Sequence, residues 1–166
     1  MNYEIVELEE FSGTQATIYS IIVENDEVTL FDYFFDENKN KHKEELKFIL
    51  NRLVEIGNRT GAREGFFKLN EGKPGDGVCA LYDLPGSRLR LYCIRYGNTA
   101  ILLGGGGPKP HRIRSWQDDP KLTKEADIIL RVSKEIMDRI NDGEIKWSKD
   151  GSQLIGNLIF SDDDEK

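Results

Sequence analysis

The chain is short of cysteine, histidine and long apolar runs, and each shortage excludes a class of protein. Its two cysteines, Cys79 and Cys93, both lie inside strand-like apolar runs. That placement predicts reduced core thiols, not a disulfide scaffold. The two histidines, His42 and His111, show no metal-ligand spacing, so no structural zinc site is expected. No run approaches the roughly 20 apolar residues of a membrane span. The opening MNYEIVELEE is acidic and lacks the basic-then-apolar profile of a secretion signal. A cytoplasmic protein without membrane attachment is therefore expected. No internal repeat is present. At 166 residues, with 38% hydrophobic and 32% charged content, the chain fits one soluble domain with a sizeable core.

The most telling shortage is local. Leu84–Gln117 contains no Asp or Glu, yet holds Arg88, Arg90, Arg95, Lys109, Arg112 and Arg114. The whole chain has a net charge of -7. An acidic protein with one basic island concentrates positive potential on one surface, which calls for an anionic partner or internal neutralisation. Glu7–Glu10 and Asp162–Glu165 are acidic segments that can supply the second.

Hydrophobic patterning predicts the organisation. Residues 1–36 read as an N-terminal β-region. Strands are expected over Tyr3–Leu8, Ala16–Val23 and Val28–Phe35, with Asn25-Asp26 joining the last two as a hairpin. Leu46, Ile49, Leu50 and Leu53 then predict one helix over Asn38–Ile56, capped by Asn38 and stopped at Gly57. A meander of three antiparallel strands follows: Val78–Leu84, Ser87–Tyr96 and Thr99–Leu103, the last two joined at Gly97-Asn98. Gly104–Gly107 leads into Pro108-Lys109-Pro110, read as a rigid turn that aims Lys109, His111, Arg112 and Arg114 back across the sheet. The two prolines forbid the immediate helix of a phosphate-binding loop. Asp118 or Asp119 caps a helix with Pro120 near its start and Leu122, Ala126, Ile129, Val132, Ile136 and Ile140 on one face. A C-terminal hairpin spans 142–160, and 161–166 is an acidic tail. The class is α+β, an antiparallel sheet packed against helices in a single domain.

Within Ser87–Tyr96, alternation places Arg88, Arg90 and Tyr92 on one face and Leu89, Leu91 and Cys93 on the other. The first face reads as open and cationic, with successive side chains about 7 Å apart. With Lys109, His111, Arg112 and Arg114 it makes a basic cleft suited to phosphodiester chemistry on RNA. Cations stabilise the extra transition-state charge, and the substrate's own 2′-hydroxyl attacks. Arg90, Lys109, Arg112 and His111 are the candidate catalytic residues; Arg88, Tyr92, Arg95 and Arg114 are candidate RNA contacts. His111 serves equally as an acid–base group or as an ordinary surface residue of the turn.

The succession Leu89-Arg90-Leu91-Tyr92, Thr99–Leu103, Gly107 with Lys109, then a helix from about Leu122, resembles toxins of the RelE/HigB superfamily of bacterial type II toxin–antitoxin systems. The likeness runs from Asn38 to Asn141, residues 38–141 forming a RelE-like core. It implies an mRNA endoribonuclease working on the ribosome, without metal or organic cofactor, inhibited by a cognate antitoxin of helix-turn-helix type. It matches Arg90 to the sheet arginine at the scissile region and Lys109 to the basic residue after the last strand. It also implies a helical hairpin where the sequence suggests one helix. The alternative is a non-catalytic protein of the same fold that grips RNA or an acidic partner protein.

Overall fold

The computed structural model describes residues 1–69, 71–81, 87–110 and 119–162. The chain begins with β1 (Tyr3–Glu7) and β2 (Thr17–Val23), paired antiparallel with Tyr3 opposite Val23. The third N-terminal strand expected over Val28–Phe35 is instead a helix, α1 (Leu30–Asn38). Local capping overrides the β-forming composition here. The Thr29 side chain accepts from the Asp32 backbone N–H, and the Asp32 carboxylate accepts from that of Thr29. Phe31 and Phe34, three apart, then share one buried helical face.

The single helix expected over Asn38–Ile56 is likewise corrected. Asn38 closes α1, buried, with its amide donating to the Phe34 carbonyl at 2.8 Å. A new helix, α2 (Lys43–Glu55), starts after His42 and buries Leu46, Ile49 and Leu53. Gly57 does not stop it. The chain continues through a wide π turn, Ile56–Thr60, and leaves at Gly61 with φ 71°. Gly57 is required by a close approach, because a Cβ there would lie 1.8 Å from the Phe11 carbonyl oxygen.

The meander is present as β4 (Val78–Leu81), β5 (Leu89–Tyr96) and β6 (Ala100–Pro108), with the short β3 (Phe67–Lys68) on its outer side. Helix α3 (Pro120–Asn141) follows, its N-cap Asp119 accepting from the Leu122 backbone N–H at 3.0 Å. A hairpin of β7 (Ile145–Trp147) and β8 (Leu154–Gly156) comes next. The last strand, β9 (Ile159–Phe160), leaves that hairpin and pairs with β1. The main sheet runs β3-β4-β5-β6-β2-β1-β9. It is mixed, not purely antiparallel, because β2 and β6 run parallel, Thr17 opposite Ala100. The class is α+β.

Both faces of the sheet are covered. Leu81, Leu89, Leu91, Cys93, Ile101 and Leu103 pack with α1 and α2. Val78, Ala80, Tyr92, Ile94 and Leu102 pack with Ala126, Ile129, Val132 and Ile136 of α3. The far end of α3 also holds the C-terminus. Arg139 donates to the Asn157 and Ile159 carbonyls at 2.8 and 2.6 Å and lies 3.7 Å over the Phe160 ring, which stacks on Tyr3.

The glycine run is not a turn. Gly104–Gly107 is buried inside β6. Leu91 pairs with Gly106 but Cys93 with Leu103, so Gly104 and Gly105 together oppose Tyr92 in a β-bulge. A Cβ on Gly104 would meet Ile129 at 2.4 Å, and one on Gly106 the Arg90 carbonyl oxygen at 1.9 Å. The run strips β6 so that α3 and β5 can come close. Gly106→Ala should therefore lower stability by about 2–3 kcal/mol, the scale of an overpacked core. Gly65→Ala, which meets nothing within 4 Å, should stay within about 0.5 kcal/mol in the same thermal unfolding experiment.

Candidate functional site

The end of the β5–β6 ladder collects part of the basic island. Arg90 stands opposite Gly107, and the Lys109 backbone N–H donates to the Arg88 carbonyl at 2.8 Å. Arg88, Arg90 and Lys109 thus meet at one corner of the sheet. Both arginines are half-buried. The Arg88 Nε donates to the Lys109 carbonyl at 3.4 Å, and the Arg90 Nη1 to the Ser87 and Leu89 carbonyls at 2.8 and 3.0 Å. These bonds aim the guanidiniums along the strand end.

Two other predicted residues lie elsewhere. Tyr92 is 1% exposed, beneath α3. Its face was expected to be open; instead α3 covers it, because the glycine bulge lets the helix sit directly on the strand. Burial raises the Tyr92 phenol above its ordinary range; Glu71 adds to the rise, Arg90 opposes it, and Asp119 adds a smaller contribution. Arg95 is at the opposite end of β5, about 17 Å from Arg90 by strand rise. Its Nε donates to the Ala62 carbonyl at 2.6 Å, its Nη2 to Asn98 Oδ1 at 2.5 Å, and its Nη1 lies 3.6 Å from Glu64 Oε1. It anchors the β5–β6 turn to the segment after α2. His111, Arg112 and Arg114 lie outside the described residues.

Groups from outside the island complete the corner. Glu45, in the first turn of α2, accepts from the Arg88 and Leu89 backbone N–H groups through Oε1. Its Oε2 lies 3.5 Å from His42 Nδ1. Lys121, in the first turn of α3, covers Gly107 with its carbon stem and places Nζ 2.8 Å from Glu37 Oε2 and 3.4 Å from Glu125 Oε1. Burial lowers the Lys121 ammonium, but Glu37 and Glu125 outweigh it and hold the pKa above the ordinary value. Sequence reasoning passed over His42 and Glu45. Their i, i+3 spacing at a helix start was the available signal, but nothing local ties Glu45 to a strand forty residues on. The acidic tail does not cover the island as far as it is described. Asp162 pairs with the N-terminal amine at 2.5 Å and with Arg131 of α3 at 3.4 Å.

A cavity of about 850 Å³ lies between the loop Glu71–Asp76 and α3, lined there by Leu130, Arg131, Ser133, Lys134 and Met137. None of the described predicted site residues lines it. Among the described residues, no three His, Cys, Asp or Glu side chains converge in a metal-like cluster, and no helix is long and apolar enough to cross a membrane. Comparison of the chain with protein-family models, curated proteins and solved structures finds no match.

Cys79 and Cys93 are directly opposite on β4 and β5, buried and free, with sulfurs 3.6 Å apart. Burial raises the Cys93 thiol well above its ordinary range, and the hydrogen bond and proximity of Cys79 add to the rise. A raised thiol pKa means less reactive thiolate at neutral pH. The folded chain should therefore give almost no colour with a thiol-titrating disulfide reagent at pH 7.5, and two equivalents once unfolded in denaturant.

Proposed function

We propose that this chain is a metal-free, RNA-cleaving toxin of the type II toxin–antitoxin kind, an mRNA endoribonuclease acting in the cytoplasm on ribosome-bound message and held in check by a helix-turn-helix antitoxin. One observation carries the reading. Arg88, Arg90 and Lys109 gather at the end of the β5–β6 ladder, immediately ahead of His111, Arg112 and Arg114 in the chain. The order of elements adds support. A strand, two successive helices, a three-strand meander and a closing helix give two helices before the meander, the first of them, Leu30–Asn38, lying ahead of the span 38–141 on which the resemblance rests.

In this reading the cations at the corner stabilise the doubly charged phosphorane as the substrate's 2′-hydroxyl attacks. The protein then needs no nucleophile of its own. Arg88 and Arg90, held by main-chain carbonyls, are already oriented before the phosphate arrives. Tyr92 contributes packing beneath α3 and no base stacking. Arg95 contributes to the fold.

The second reading is a non-catalytic protein that grips RNA or an acidic partner with the same corner. The burial of Tyr92 and the structural engagement of Arg95 favour it, since both reduce the set of groups facing a substrate.

Induced expression in bacteria distinguishes the two. The toxin reading expects growth arrest and new 5′ ends in mRNA by primer extension. Arg90→Ala should reduce cleavage by about 100-fold, the scale for removing one transition-state donor, with the circular dichroism spectrum unchanged. Normal growth with intact transcripts, despite RNA retention by the purified chain, would select the binding reading.

A further inference from the structure

We propose that His42 and Glu45 form the acid–base dyad of the basic corner, with His42 taking the proton from the 2′-hydroxyl and Glu45 positioning its ring; this rests on the RNA-cleaving reading above. His42 is the N-cap of α2, a position whose side chain ordinarily accepts a bond from the helix backbone. The His42 side chain makes no such bond. Its backbone is fixed instead, the N–H donating to the Asn38 carbonyl and the carbonyl accepting from Leu46, both at 2.9 Å. The ring is thus placed without being used for capping.

Glu45 supplies the orientation. One carboxylate oxygen is held by the main-chain N–H groups at the start of β5, and the other faces His42 Nδ1 at 3.5 Å. A carboxylate at Nδ1 selects the tautomer with its proton there and leaves the Nε2 lone pair for the substrate. The two side chains are 18% and 25% exposed, sheltered yet reachable. Glu45 binds the backbone N–H of Arg88, and the Arg88 side chain binds the carbonyl of Lys109, so main-chain bonds tie the dyad to the strand end that carries the cations.

The step balances. The 2′-oxygen bonds to phosphorus, its proton passes to His42 Nε2, and the P–O5′ bond breaks. The departing 5′-oxygen takes a proton from the Lys109 ammonium. The products are a 2′,3′-cyclic phosphate and a free 5′-hydroxyl, and solvent exchange restores both side chains. Among the described residues, the charged group that faces the His42 ring is Glu45 on α2; Lys43 and Glu44 neighbour it in the chain on α2 and Lys41 in the link from α1, and Glu45 in turn binds the backbone of Arg88, just ahead of β5.

The test uses the full chain with ribosomes programmed with a defined mRNA, following cleavage between pH 5 and 9. A histidine base predicts a rate for the unaltered chain that falls toward the acid end of that range. His42→Ala should cut the rate about 100-fold or more, the usual worth of a general base, and abolish that acid limb. Glu45→Gln should displace the limb while leaving the thermal melt in place, which a merely structural role would not do. His42→Asn puts a side chain able to cap the helix at this position and serves if the alanine variant fails to fold. Full-rate cleavage by His42→Asn, alongside loss of cleavage in Arg90→Ala, overturns the dyad and leaves the RNA reading standing. No cleavage by the unaltered chain overturns both.

Discussion

The seating of α3 on a stretch of β6 without side chains is the constraint on which the rest of the structure depends. A strand that carried ordinary residues at Gly104 and Gly106 would collide with Ile129 and with the backbone of β5. Relieving those collisions would lift α3 away and expose Tyr92, Ile94 and Leu102. The bulge opposite Tyr92 follows from the same run, since two glycines stand against one residue there. Helix on one side and helix pair on the other then leave the ends of the β5–β6 ladder as the places where its polar side chains can emerge. The position of Arg88, Arg90 and Lys109 at such an end is a result of this packing.

Charge is distributed accordingly. Among the described residues, the basic island does not form a continuous cationic surface. Arg95 is tied to Ala62, Asn98 and Glu64, and the carboxylates that answer the corner come from Glu45 on α2 and from Glu37 and Glu125 around Lys121. Neutralisation by distant segments is how an acidic chain accommodates an acid-free window of sequence. It also makes the corner a mixed site, with a histidine and a carboxylate beside the guanidiniums.

Much of the fold was legible in the sequence. The meander, α3 with its Asp119 cap, and the burial of both cysteines follow from alternation, helical spacing and turn residues. The misreading of Val28–Phe35 has a specific cause. Aromatic and β-branched composition favoured a strand, while Thr29 and Asp32, three apart, carried a capping box that outweighed it. The open face expected for Arg90 and Tyr92 failed for a different reason. Alternation assigns residues to faces but cannot say whether the second face is covered, and the covering helix begins thirty residues later. The glycines were the clue to that cover, and two flanking prolines drew attention to a turn instead. Glu45 was illegible because its partners, the Arg88 and Leu89 amides, are main-chain groups with no signature in composition.

The outermost strands carry one more consequence. The sheet ends at β3 and β9, each two residues long. Such short margins offer almost no unsatisfied ladder for a foreign chain to extend. Strand addition at either border is thereby disfavoured, which leaves the helices and the polar tips between strands as the surfaces open to contact. The same economy of exposed edge guards the molecule against stacking upon itself at high concentration.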